Sequence, residues 1–122
     1  MKDLISQYQG TCHCGDVCFK IFTDSVFLDL YRCNCTLCMK KAIIMKPISE
    51  KFFFLLKGKN SLSSYKWNKK IAEHYFCSNC GVYTHHRRRR NPSQISINFA
   101  CLNIPEKFPK LFVKTVNGLE HD

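Results

Sequence analysis

Seven of the nine cysteines fall in three tight groups: Cys12 and Cys14 around His13, then Cys33, Cys35 and Cys38, then Cys77 and Cys80 just ahead of Gly81. Neighbouring cysteines cannot easily bridge to each other without strain, but two thiolates from one short segment readily reach a zinc ion at about 2.3 Å in a tetrahedral shell. Two closed four-sulfur sites need eight ligands and the groups supply seven, so the natural division is four and three. Cys12, Cys14, Cys77 and Cys80 make a complete cage that ties an early segment to a late one, which is a structural arrangement. Cys33, Cys35 and Cys38 then hold a second zinc with one position left for water or a substrate thiolate, which is the arrangement of a reactive centre. The expected cofactor is therefore zinc, two per chain.

Two rival readings use the same sulfurs. A disulfide framework suits a secreted chain, but residues 1–6 are followed by polar residues and lack the apolar core of a signal peptide, and nine is an odd number of thiols. A single structural zinc with a redox-active middle group is the other. Cys18 and Cys101 lie in apolar alternating runs and are expected to be packed core thiols. His13, His74, His85 and His86 could each complete a zinc shell or move a proton, yet a histidine beside such a cluster more often packs or hydrogen-bonds. His74 is the strongest of the four because it precedes Cys77 on the same expected strand.

The elements that must position these groups are short strands. The dominant period is two, and segments near 17–23, 26–31, 42–45, 52–57, 62–67, 71–76, 82–86 and 95–100 mix aromatic and β-branched residues with polar ones. Helix is expected only as single turns at 36–41 and 105–108. Residues two apart on a strand face the same side, so Cys12 with Cys14 and Cys33 with Cys35 are each expected to present two sulfurs from extended backbone. Cys77 to Gly81 reads instead as a zinc knuckle, with Gly81 left-handed. The run Phe52, Phe53, Phe54, Leu55, Leu56 lacks alternation and is expected to be buried on both faces. Pro47, Pro92, Pro105 and Pro109 punctuate the chain.

At 122 residues the chain is expected to be one domain over 1–122, with a modest core that metal crosslinks would reinforce. Its formal charge is +10, and two zinc dications with seven thiolates reduce this to about +7. Part of the surplus is the run Arg87, Arg88, Arg89, Arg90, and part is lysines such as Lys40, Lys41, Lys69 and Lys70. Such a surface could attract nucleic acid, anionic lipid or a small anion, or simply keep the chain in solution. No nucleic-acid-binding module is visible and no apolar run reaches membrane-spanning length, so nucleic acid is disfavoured as a partner, no membrane is expected, and the cytoplasm is the expected compartment.

Taken together, Gly10-Thr11-Cys12-His13-Cys14-Gly15-Asp16-Val17, Cys33-Asn34-Cys35-Thr36-Leu37-Cys38, His74-Tyr75-Phe76-Cys77-Ser78-Asn79-Cys80-Gly81, and Asn91-Pro92 ahead of Cys101-Leu102 resemble the glutathione-dependent formaldehyde-activating enzyme family, which also includes centromere protein V. The resemblance spans nearly the whole chain. It implies a mainly β fold of small antiparallel sheets around zinc, often described as a β-tent, with little helix. It also implies that Cys12, Cys14, Cys77 and Cys80 hold a structural zinc and that Cys33, Cys35 and Cys38 hold a catalytic one. The implied activity is that of a carbon–sulfur lyase which, in the synthetic direction, adds glutathione or a similar thiol to a small aldehyde such as formaldehyde. The implied partners are those small molecules. The alternative is a zinc-stabilised binding module without turnover, whose basic face holds a nucleic acid or an acidic protein.

Overall fold

The computed structural model describes residues 5–24, 29–66, 72–88, 91–104 and 113–116. Alternation does produce strands, and they form two sheets. The smaller has the order β1 (Ile5–Thr11), β2 (Cys18–Asp24), β5 (Phe53–Lys57), all antiparallel. The larger has the order β10 (Val113–Val116), β3 (Leu30–Cys33), β4 (Met45–Ser49), β9 (Gln94–Asn98), β8 (Tyr83–Arg87), β7 (Glu73–Cys77), β6 (Leu62–Tyr65). It is antiparallel except where β10 runs parallel to β3. The fold is thus mainly β, with one α-helix, α1 (Thr36–Lys41), among the described residues. No helix among them is long and apolar enough to cross a membrane.

The core lies between the two sheets. Phe19 and Ile21 of β2 meet Leu30, Ile48, Ile95 and Ile97 of the large sheet, with Phe99, Cys101 and Leu102 closing one end. Each fully buried side chain of this size contributes about 1.5–3 kcal/mol. Gly10 shows how closely β1 meets β2: it stands opposite Phe19 in the register, and a Cβ there would sit 2.5 Å from the Phe19 ring.

Register decides which side chains face the site. On β7 and β8 the pair His74↔His86 is followed by Tyr75↔His85, and these adjacent pairs must point to opposite faces. Tyr75 and His85 join the inner face, where His85 packs on Phe53 and Phe19. His74 and His86, with Ser96 beside His86 on β9, face the side that carries α1.

Several expectations need correction. Residues 52–56 are not buried on both faces, since Phe52, Phe54 and Leu56 are exposed; β5 is the edge of a sheet covered on one side only. The strand expected over 42–45 starts at Met45 and continues through Pro47 to Ser49. Among the described residues, beyond the single pair Tyr31↔Met45 it has a neighbour on one side only, where the missing proline N–H is tolerated. Neither cysteine pair sits on continuous strand: Cys12 and Cys14 follow β1 through a bend, while Cys33 ends β3 and Cys35 caps α1. Strands β1 and β10 and three short 3-10 turns were not anticipated. The helix at 36–41 forms as expected, whereas the turn at 105–108 and part of the strand at 26–31 fall outside the described residues.

Candidate metal centres

The four sulfurs of Cys12, Cys14, Cys77 and Cys80 lie within 4.8 Å of one another, although the chain separates Cys14 from Cys77 by 63 positions. The Cys12–Cys14 and Cys14–Cys77 sulfur separations are 3.6 and 3.7 Å. A zinc–sulfur bond of about 2.3 Å gives a tetrahedral edge of about 3.8 Å, so this spacing already fits the ion. Backbone N–H groups complete the cradle: Val17 donates to the Cys12 sulfur at 3.3 Å and Cys80 to the Cys77 sulfur at 3.4 Å. Gly81, at φ +79°, turns the knuckle and bonds the Cys77 carbonyl at 2.8 Å. Backbone N–H groups of Cys14 and Val82 hold the Cys80 thiol down at about 6, so a thiolate is ready near neutrality. Val17, Leu55, Leu62 and Val82 pack around the cage.

Cys33, Cys35 and Cys38 also lie within 4.8 Å of one another, and among the described residues no histidine, carboxylate or further cysteine completes a fourth corner. Local structure makes this trio. Cys35 is the N-cap of α1, its sulfur accepting the Cys38 N–H at 3.3 Å, so one helical turn stacks the two sulfurs. Ala42 ends the helix in a left-handed conformation, with its N–H on the Cys38 carbonyl at 2.9 Å. The Cys33 sulfur and burial push the Cys38 thiol far up, and burial raises Cys35 as well. Three sulfurs this close suit a soft dication, which would favour their thiolate forms. Both groups could therefore hold metal ions, and both donor sets are compatible with zinc.

What surrounds the trio differs sharply from what surrounds the cage. Lys41, one turn beyond Cys38, places Nζ 2.8 Å from His74 Nδ1 and 3.6 Å above the Tyr83 ring. His74 stacks on His86 at 4.6 Å, and His86 Nδ1 is hydrogen-bonded to the Tyr83 hydroxyl. Tyr31 is hydrogen-bonded to Ser96, with the Arg88 guanidinium 4.9 Å over its ring. Burial, aided by Lys41, lowers His74 to about 3, and burial takes His86 well below its ordinary value. Burial also raises Tyr31 and Tyr83. Burial lowers Lys41 to about 8, against the opposing pull of the three sulfurs. At neutral pH the wall consists of neutral imidazoles and phenols around the half-buried Lys41 ammonium.

A sequence profile of the glutathione-dependent formaldehyde-activating enzyme family matches residues 7–113, a span that includes all three cysteine groups. The chain belongs to this family. It is also similar to a crystal structure of a Rhodobacter sphaeroides protein, at 33% identity and a TM-score of 0.80, over 88% of this chain and 99% of that one.

Not every residue singled out by sequence belongs to the family member's two centres. His13 is exposed, and no histidine among the described residues contributes a ligand atom to either group. His74 and His86 face the trio as part of the polar wall, whereas His85 lies on the opposite face. Cys101 is buried in the core as expected, but Cys18 is only half-buried and accepts a hydrogen bond from Gln9 at 2.9 Å. Of the arginine run, Arg87 binds Glu50 at 2.7 Å and the Pro92 carbonyl, and Arg88 binds Gln94. Arg89, Arg90, Lys69 and Lys70 fall outside the described residues, and Lys40 is exposed. Sequence reasoning missed Tyr31, Tyr83 and Ser96 altogether. The i, i+3 offset of Lys41 from Cys38 was the one visible signal for the wall.

Proposed function

We propose that this family member is a zinc enzyme, a carbon–sulfur lyase by its reverse reaction, that adds glutathione or a similar thiol to a small aldehyde such as formaldehyde to form a hemithioacetal. A single domain over 1–122, working in the cytoplasm, would carry the activity. The observation that supports it is the contrast between the two sulfur groups. The four-sulfur cage is packed by aliphatic side chains, while the three-sulfur group is faced by Lys41, His74, His86, Tyr83 and Tyr31. In this reading Cys12, Cys14, Cys77 and Cys80 hold the structural zinc and Cys33, Cys35 and Cys38 the catalytic one.

When bound at the trio, zinc supplies a Lewis-acid position at which a thiol pKa falls and an aldehyde oxygen is polarised. The protein's own residues supply the rest. Tyr31, Leu37, Ile43 and Met45 pack around the sulfurs and exclude water. Addition breaks the thiol S–H bond, forms a C–S bond and leaves one proton for the former carbonyl oxygen, so a proton has to be held near the reacting atoms. Lys41 Nζ is the ammonium placed to do this, and neutral His74, accepting one of its protons at Nδ1, fixes its direction.

The test is exchange NMR on glutathione and formaldehyde with protein purified without chelator. The expected results are interconversion with S-hydroxymethylglutathione faster than in buffer, two zinc per chain, and loss of the acceleration with about one zinc left in Cys38→Ala. Exchange no faster than in buffer, on protein holding two zinc, would refute the assignment.

A further inference from the structure

The inner face of β7 and β8 carries a second concavity that the thiol chemistry does not use. Because Tyr75↔His85 alternates with His74↔His86, this cavity opens on the opposite side of the sheet from Cys33, Cys35 and Cys38. Its volume is about 490 Å³, inside the range of about 300–1,000 Å³ typical of small-molecule sites. Its walls have three distinct characters. Phe53, His85 and Tyr75 form an aromatic corner: the Tyr75 and His85 rings lie 4.7 Å apart and 18° from parallel, and Phe53 sits 4.6 Å from His85. Leu62 and Ile95 are among the apolar lining residues. The rim carries Glu50, Arg87 and Lys59.

Charge and hydrogen bonding narrow the ligand. Glu50 and Arg87 neutralise each other at 2.7 Å, which leaves the exposed Lys59 ammonium as the net charge at the mouth. One anionic group balances it. The His85 Nδ1 is engaged by the Thr84 hydroxyl at 2.8 Å, so Nε2 is the ring's remaining polar atom at the wall. With burial lowering His85 to about 4, that ring is neutral and offers a hydrogen bond without a charge. Flat rings stack well on such a corner, and a polar edge on the ligand would satisfy the imidazole.

We propose that the cavity lined by Phe53, Leu62, Tyr75, His85 and Lys59 is a second ligand site, for a small planar carboxylate with a polar ring edge. The acid end meets Lys59 at the mouth, and the ring lies in the Phe53, Tyr75 and His85 corner. Nothing in the proposal draws on the thiol chemistry of the trio, so either can fail alone.

The probe is indole-3-acetate, titrated into the zinc-loaded full chain and followed by amide chemical shifts. Shifts concentrated on Phe53, Ser64, Tyr75 and Arg87, saturating below about 1 mM, are expected. The neutral analogue indole-3-ethanol is expected to bind about tenfold more weakly, a change of about 1.4 kcal/mol. Leu62→Trp, which fills the cavity, is expected to abolish the shifts. Lys59→Glu reverses the rim charge at an exposed position without disturbing the core, and is expected to weaken binding at least about tenfold even if the tryptophan variant does not fold. No shifts at about 5 mM, shifts confined to residues 35–41, or an affinity unchanged in Lys59→Glu would each overturn the proposal. Thiol–aldehyde exchange measured on the same samples separates the two readings: Lys59→Glu is expected to leave it unaltered.

Discussion

The four-sulfur cage is assigned a mechanical role, and the chain distances put a number on it. Removing the late pair with the double variant Cys77→Ser, Cys80→Ser leaves only Cys12 and Cys14, which cannot hold the two segments together. The crosslink lost closes a loop in which Cys14 and Cys77 stand 63 positions apart. The loop-closure entropy of that length is about 4 kcal/mol at room temperature, set against a total of about 5–15 kcal/mol for a domain. At about 3–5 °C per kcal/mol for a chain of this size, the melting temperature is expected to fall by about 12–20 °C. The matched control is Cys35→Ser, Cys38→Ser, which removes sulfurs from a single six-residue segment and so relaxes only a short loop. Both proteins would be melted by circular dichroism at equal concentration without chelator, and their zinc counted with a chromogenic indicator after denaturation. Each is expected to lose about one zinc, but only the late-pair variant to lose the large melting increment. The reasoning fails if the late-pair variant melts within about 3 °C of the unaltered chain, or if the trio variant falls equally far.

Three further perturbations test other links. With zinc in the trio the local formal charge is about −1, and a bound thiolate makes it about −2, so Lys41→Met is expected to slow thiol–aldehyde exchange about 10–100-fold. Zinc content should hold, because no sulfur is removed, and stability is expected to fall by no more than the lost bond to His74, about 1 kcal/mol; an unchanged exchange rate refutes the role given to Lys41. Gly10→Ala drives a methyl into the Phe19 ring at 2.5 Å and is expected to cost about 1–3 kcal/mol in urea unfolding, so an unshifted midpoint would contradict the pairing of Gly10 with Phe19 across β1 and β2. Stability should also fall on acidification: His74 and His85 are held at about 3 and about 4 by burial. Between those values and the ordinary 6.5 the unfolded chain binds protons that the folded chain does not, so stability is complete above that window and is lost as pH falls through it. Urea midpoints at pH 8 and pH 5.5 measure the slope, and His85→Phe is expected to flatten it.

The two cysteine groups that could hold metal ions were the most legible part of the molecule, because short-range spacing encodes much of their clustering. Helix α1 was legible too, and its bounds follow from Cys35 at the cap and the turn at Ala42. The error at Phe52–Leu56 has a plain cause: an unbroken apolar run looks the same in a doubly covered strand and at the exposed edge of a three-stranded sheet, and only the topology separates them. The polar wall was invisible for a related reason. His74, Tyr83, His86 and Ser96 are brought together by register across three strands, and Lys41 reaches them from a helix 33 positions before His74. No local pattern carries that information.

The placement of the trio on a six-residue helix carries its own consequence. A helix that short has no stability of its own in water. What holds α1 is the Cys35 sulfur on the Cys38 N–H, the burial of Cys38 beside Tyr31 and Met45, and the Lys41 bond to His74. Every one of these contacts involves a sulfur of the trio or a member of the polar wall. The interactions that order the helix are therefore the same ones that bring the trio and the polar wall together. The four-sulfur group, by contrast, joins the end of β1 to β7 through residues outside the polar wall, so under the proposed function stability and chemistry would rest on different parts of the chain.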